Sequence, residues 1–338
     1  MSENYPIDFV VTWVDGNDPV WQAEKAKYSP NKNADNRNVR FRDWDNMQYW
    51  FRAVEKFAPW VNKIHFVTYG HLPKWLNIDN PKLNIAKHSD FIPQKYLPTF
   101  SSQPIELNLH RINGLAERFV YFNDDMFLLR PVKRELFFAG KDCLPTDFAI
   151  TSTISTTTKE DMMPFIKLNC VTILNGHFDK KEQMKKHFSK WVNLAYGWNA
   201  LRNLIFYGQH RFKGFANNHL AFSFLKSEYE DIWEKEYESL DDTSSHKFRS
   251  KLDLDNWLIR YWQLTRGNFY PIGRHVKGKV YEIYNGVEQN QELFKSIENQ
   301  AMPMICINDN DNVEFEPRKE IIKQAFDKIL PEKSSFEK

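Results

Sequence analysis

Arg118-Phe-Val-Tyr-Phe-Asn-Asp-Asp-Met-Phe-Leu-Leu129 is an apolar run interrupted by three polar residues and then resumed. Phe119 to Phe122 has the unbroken apolar character of a strand buried on both faces. Asn123-Asp124-Asp125 then stops it. Two adjacent carboxylates at the end of a buried strand are costly unless they are paired or bound to a metal. Ligands of open α/β sheets gather beyond the carboxyl ends of the strands. The stretch therefore reads as a strand delivering Asp124 and Asp125 to a cation-dependent site. It reads equally as a turn whose side chains cap their own backbone.

Working outward, Ile7 to Val14 has the same buried-strand character, with Asp8 inside it. Asp15-Gly-Asn-Asp-Pro19 is a turn signal that sets Asp15 and Asp18 at the strand's carboxyl end. A polar loop is expected from about Gln22 to Asn38. Asp43 reads as the cap of a helix in which Trp44, Met47, Trp50, Phe51, Val54 and Phe57 share a face and Pro59 marks the end. Asn62 to Tyr69 forms a second strand and Leu83 to Ala86 a short third. Ser102 and Pro104 open a helix with a stripe of Ile105, Leu109 and Ile112. This alternation predicts an α/β fold: a mainly parallel, Rossmann-like sheet flanked by helices. No GxGxxG or Walker-type glycine loop accompanies it.

Three segments follow from this pattern: an α/β core at 1–143, a helical insertion at 144–213 and an α-rich C-terminal part at 214–338 that completes the site. Thr151 to Thr158 reads as a loop. Asp179 to Gly208 reads as helical, with Lys180, Lys181, Lys185, Lys186 and Lys190 beside Phe178, Met184, Phe188, Trp191 and Trp198. Such a helix either lies on an anionic membrane surface or, more commonly, packs on its own domain. Further on, a helix to about Glu238, an aromatic helix with Trp257, Tyr261 and Trp262, and a hairpin from Tyr270 to Tyr284 are expected. The spacing of Asp309 and Asp311 hints at a calcium loop, but Glu314 in place of the turn glycine and the nearby Pro317 exclude an EF-hand.

A net charge of +2 gives no reason to expect nucleic-acid binding. Cys143, Cys170 and Cys306 are far apart, which argues against a disulfide framework or zinc cluster. Met-Ser-Glu-Asn-Tyr-Pro lacks the parts of a signal peptide, and no apolar run is long enough to span a bilayer. A soluble, cytoplasmic chain is expected, peripheral to the membrane if the basic helix binds lipid. Aromatic residues reach 15%, a share suited to stacking on sugars and equally to filling a core.

In combination these segments resemble the Stealth family of sugar-1-phosphate transferases, which includes bacterial capsule polymerases and the N-acetylglucosamine-1-phosphotransferase that marks lysosomal enzymes. The first resembling block is Ile7-Asp8-x-Val-x-Thr12-Trp13-Val14-Asp15-Gly16-x-Asp18-Pro19. The second runs from Arg40-Phe-Arg-Asp43 through Ala58-Pro59-Trp60 to Phe122-Asn-Asp-Asp-Met126. The third spans His219 to His246-Lys-Phe-Arg249, and the fourth is Ile307-Asn-Asp-Asn310 with Pro331 to Glu337. Four blocks in order cover about two thirds of the chain. The resemblance implies a glycosyltransferase-A-like fold and transfer of sugar-1-phosphate from a nucleotide-sugar donor, such as a UDP-sugar, to an oligosaccharide or polysaccharide hydroxyl. A phosphodiester forms and a nucleoside monophosphate leaves.

Phosphoryl transfer is mostly positioning and charge neutralisation, and the residues divide those tasks. Asp124 and Asp125 are the candidate ligands of Mg²⁺ or Mn²⁺, because such ions take one or two carboxylates plus phosphate oxygens. Adjacent strand side chains diverge, so one aspartate is expected on the metal and the other on a hydroxyl or base. Arg249 and Arg40 are candidate phosphate grips. His219 is the candidate general base, and His246 a candidate phosphate or helix-start contact. Trp13 and Asp15 are expected to meet nucleotide or sugar, with Trp13 as plain core the competing reading. Asn308 and Asp309 enter as substrate contacts by resemblance alone. A metal-dependent glycosyltransferase releasing UDP and a non-catalytic glycan-binding module are the alternative functions.

Overall fold

The computed structural model describes residues 5–29, 43–156, 158, 161–286, 288–309 and 314–338. Strands β1 (Ile7–Thr12), β2 (Ile64–Thr68), β3 (Leu83–Lys87) and β4 (Arg118–Phe122) run parallel. β5 (Met126–Leu128) follows β4 after the Asn123–Asp125 break. β6 (Phe138–Ala139) and β7 (Leu144–Asp147) pair antiparallel. β8 (Phe222–Leu225) joins the far side of β4 antiparallel, giving the central order β3-β2-β1-β4-β8. β9 (Tyr270–Pro271) pairs with β7, and β10 (Gly278–Glu282) lies parallel to β11 (Met304–Asn308). β11 in turn runs antiparallel to β5.

The unbroken apolar strands serve two cores, one on each face of the central sheet. Ile7, Phe9 and Val11 of β1, with Val120 and Phe122 of β4, pack under the helix Met47–Phe57 and the C-terminal helix Phe315–Ile329. Val10, Phe119 and Tyr121 face the opposite core of Tyr229, Trp257 and Trp262. Alternate residues of one strand thus serve different layers, which leaves no polar face to the strand. The mainly parallel α/β architecture is the one expected.

Several local expectations are corrected. The stretch read as polar loop begins with a helix, Pro19–Tyr28: Asp18 Oδ1 accepts from Trp21 N at 2.7 Å and proline fills the first turn. The remainder of that loop, with Arg40, lies outside the described residues. Asp43 does not cap the following helix, which starts at Met47 after Asn46. It instead accepts from Asp45 N at 2.8 Å, closing a turn that Asp45 completes at positive φ. Tyr270 to Tyr284 is no hairpin, because β9 and β10 pair with different strands.

The Asp179–Gly208 stretch breaks into the helices Lys180–Lys186, Phe188–Trp191 and Asn199–Ile205. Lys180, Met184 and Trp191 are buried, so the apolar face of the first two packs inward. An unforeseen helix, Met163–His177, precedes them. Among the described residues no helix is long and apolar enough to cross a membrane.

Candidate active site

The carboxyl ends of β1 and β4 open into a cleft of about 740 Å³. Trp13, Asp124, Asp125, His219, Arg249, Asn308 and Asp309 all line it. The central sheet supplies Trp13 and the aspartates, β11 supplies Asn308, and the loop before β8 supplies His219.

Asp125 sits where the two sheets meet. Its backbone oxygen accepts from Ile307 N at 2.8 Å, so β11 is fastened beside it. That pairing brings the buried Cys306 thiol to donate to Oδ2 at 3.3 Å. His219 Nε2 stands 3.4 Å from the same oxygen. Oδ1 is buried and has no hydrogen-bond partner. An orphaned buried carboxylate oxygen is rare in folded chains and marks a place where a ligand belongs. Asp125, His219 and Cys306 present donor atoms within 4.8 Å of one another.

Asp124 projects into the cleft from the adjacent position. Removal from bulk water, then the charges of Asp125 and Asp43, raise its carboxyl to about 7. Burial and the neighbouring charges of Asp45 and Asp15 likewise raise Asp43, which also lines the cleft. Like charges gathered this way favour a cation among them. The orphaned oxygen and the acidic cluster together fit a divalent cation at this end of the cleft.

His219 is raised above its ordinary value: burial opposes its charge, but the bond to Asp125 and the charges of Asp125 and Glu106 outweigh it. Its side chain is 43% exposed to the cleft, so a substrate hydroxyl can reach it. Arg249 is held by Gln103 Oε1 at 3.2 Å and Ser102 Oγ at 3.1 Å, at the start of the helix Ser102–Asn108. These partners are neutral, and the guanidinium charge also acts on the carboxyls of Glu106 and Asp253, opposing the burial that raises both.

Two expected residues sit elsewhere. His246 does not line the cleft; its Nδ1 bonds Asp253 Oδ1 at 2.6 Å, and Asp253 Oδ2 accepts from Ser250 N at 2.7 Å. The pair braces the loop that carries Arg249. Asp15 closes the turn after β1, accepting from Asn17 N at 2.8 Å, while its own N–H donates to His71 Nε2 at 2.8 Å. Arg40 lies outside the described residues. Trp13 joins both readings given for it: 7% exposed, it stacks on Phe66 at 5.6 Å and also lines the cleft.

The cleft also holds residues that sequence reasoning passed over. Glu106 and Asp255 are buried acids, both raised first by burial, Asp255 to about 7. Asp255 doubles as the cap of the helix Asn256–Thr265, accepting from Trp257 N at 3.0 Å. Lys167, on the unforeseen helix Met163–His177, lies over the Trp257 ring at 5.2 Å. Burial lowers its ammonium, and Asp255 and Asp161 partly offset that. A signal existed: Lys167 is the lone charge in Met163-Pro-Phe-Ile-Lys-Leu-Asn-Cys-Val-Thr-Ile-Leu174.

Sheet, cleft and acidic cluster define the class: an α/β protein whose strand-end carboxylates form a candidate catalytic centre. Comparisons narrow it. Residues 5–33 match the model of Stealth protein CR1, conserved region 1, and residues 40–144 that of Stealth protein CR2, conserved region 2. The capsular polysaccharide phosphotransferase WcwK of Streptococcus pneumoniae is 42% identical, covering 100% of both chains. The receptor polysaccharide phosphotransferase WefC of Streptococcus gordonii is 41% identical over 98% of each. A crystal structure of the galactosyltransferase LgtC with donor and acceptor sugar analogues covers 94% of this chain and 95% of its own. At a TM-score of 0.36 and 8% identity, that likeness is too distant to carry weight. The chain belongs to the Stealth family and is an enzyme of the phosphotransferase type.

Proposed function

We propose that the chain transfers sugar-1-phosphate from a nucleoside-diphosphate sugar to a glycan hydroxyl. The products are a phosphodiester and a nucleoside monophosphate, and the reaction serves capsule or cell-surface polysaccharide synthesis. The observation that carries this reading is one cleft shared by an orphaned Asp125 oxygen, the imidazole of His219 and the guanidinium of Arg249. The names of the relatives support the phosphotransfer and the polysaccharide setting.

A divalent ion such as Mg²⁺ on Asp124 and Asp125 supplies charge neutralisation for the diphosphate. His219 takes the proton of the acceptor hydroxyl at Nδ1, the nitrogen not facing Asp125, and Asp125, 3.4 Å from Nε2, stabilises the imidazolium that forms. Arg249 and Lys167 bind phosphoryl oxygens, Arg249 from the helix start and Lys167 from the inserted segment. Trp44 donates from Nε1 to Asp309 Oδ2 at 3.3 Å, which orients Asp309 toward sugar or nucleotide. A division into the core 1–143, the insertion 144–213 and the completing part 214–338 belongs to the same reading, with Lys167 as the insertion's contribution.

The test is the leaving group. A panel of nucleotide sugars, incubated with a glycan acceptor and Mg²⁺ or EDTA, is expected to release the nucleoside monophosphate only with the metal. Release of the diphosphate would make the enzyme an ordinary glycosyltransferase and overturn the proposal.

A further inference from the structure

Residues 194–205 leave a bare apolar face on a strongly anchored platform. Leu194 is 97% exposed, Trp198 87% and Ile205 77%. Trp198, Leu201 and Ile205 share one face of the helix Asn199–Ile205, opposite the buried Ala200 and Asn203. The inner face is firmly held. Asn203 Nδ2 donates to Ala149 O at 2.6 Å and to Trp191 O at 2.5 Å, and its Oδ1 accepts from Thr151 N at 2.8 Å. Tyr196 OH donates to Lys190 O at 2.7 Å. These bonds hold the inner face in place and set the outward residues toward solvent.

The charge around this face names its occupant. Residues 179–213 carry eight Lys or Arg against two Asp or Glu, in a chain whose total is +2. Lys181, Lys185, Lys186, Arg202, Arg211 and Lys213 are exposed. Phe188 meets Tyr207 at 6.1 Å and Lys180 Nζ donates to Phe206 O at 2.6 Å, so the basic helix Lys180–Lys186 lies beside the end of the apolar one. A second copy is a poor fit, because a two-fold contact would set this basic rim against itself. Exposed Trp, Leu and Ile rimmed by long cations suit the headgroup boundary of an anionic bilayer.

We propose that the 194–205 face docks the protein on anionic lipid. It keeps Trp198 of the surface read in the sequence but not Met184 or Trp191, which are buried, and adds Leu194, Leu201 and Ile205. The platform also adjoins the cleft. The Gly273 backbone lies against Ala195 O, and Arg274 donates to Asn218 Oδ1 at 3.1 Å and Asn217 O at 3.0 Å, next to His219. Docking there fixes the cleft close to the bilayer.

The test sediments the full chain with phosphatidylcholine vesicles, with and without phosphatidylglycerol. Binding is expected only to the anionic vesicles and is expected to fall with salt. The double variant Trp198→Ser, Ile205→Ser should lose it while melting as the parent does. Lys185→Gln with Lys186→Gln should lower partition about tenfold or more, following the contribution of each cation near an anionic surface. Equal binding of parent and Trp198→Ser, Ile205→Ser overturns the proposal, as does absence of binding. A dimer in solution that Trp198→Ser dissolves overturns it in favour of self-association.

Discussion

Asp8 on β1 and Asp125 just beyond β4 stand at opposite ends of the same sheet, and they have been treated in opposite ways. Asp8, fully buried, accepts from Asn62 Nδ2 at 2.7 Å, Lys63 N at 3.1 Å and Ala116 N at 2.8 Å, with His65 Nε2 at 3.0 Å. Burial raises its carboxyl, but these bonds outweigh that and hold it below its usual value. Asp125 has one oxygen on a weak thiol donor and a histidine, and the other on nothing. A carboxylate whose oxygens are all satisfied ties strands together. One left half-satisfied among other acids is kept for a ligand, at a cost the rest of the fold bears.

Breaking the second arrangement should have the largest effect on turnover. Asp125→Asn is expected to cut turnover about 10³-fold or more, equivalent to about 4 kcal/mol of barrier. The folded state should survive unharmed, since the substitution removes a charge from a crowded acidic cluster. Paired measurements of nucleotide release and urea midpoint check both halves. A folded Asp125→Asn protein with near-parental turnover would refute the metal assignment. Asp8→Ala should do the converse. Losing one partner of a buried pair costs about 3–5 kcal/mol, read as a lower urea midpoint, while whatever remains folded turns over normally.

Lys167 sharpens the contrast at smaller scale. Lys167→Met should raise the KM for the nucleotide sugar more than it lowers kcat, by about tenfold in kcat/KM, the worth of about one charge-assisted hydrogen bond. Lys167→Arg should restore most of it. A Lys167→Met enzyme with parental KM and kcat would remove Lys167 from the site.

The parallel layer was legible because Phe119 to Phe122 and Ile7 to Val14 serve cores on both faces and so carry the pattern of a doubly covered sheet. Asp124 and Asp125 were legible as candidates because two charges at the end of such a strand are costly unless they are paired or bound. β8 was not, since Phe222–Leu225 is short and runs straight into the helix Lys226–Lys235. Asp43 and Asp255 were obscured by their turns: a side chain that closes a turn or caps a helix looks alike whether or not it also faces a cleft. His246 was legible only as a neighbour of Arg249. The block placing it beside Arg249 was right about the loop, but only tertiary contact with Asp253 shows that the imidazole braces it from behind.

The smallest expected effect separates the two carboxylate types by proton linkage. Asp8 is depressed in the folded protein, so its stabilisation is present above the unfolded value of about 4 and is lost as pH falls through the folded one. Asp124 is raised to about 7, so between about pH 4 and that value the folded state keeps a proton the unfolded state has released, and stability declines as pH rises. Solvent in the cleft keeps the Asp124 effect small. Urea midpoints across pH should therefore show the Asp124→Asn variant flatter than the parent between about pH 4 and about 7, and the Asp8→Asn variant flatter below pH ~4. Adding Mg²⁺ at pH ~8 should lift the parent midpoint and leave that of Asp124→Asn with Asp125→Asn unmoved. Parallel pH curves for the parent and the two single variants would remove the linkage argued for each carboxylate, and a parent midpoint insensitive to the ion would remove the cation from Asp124 and Asp125.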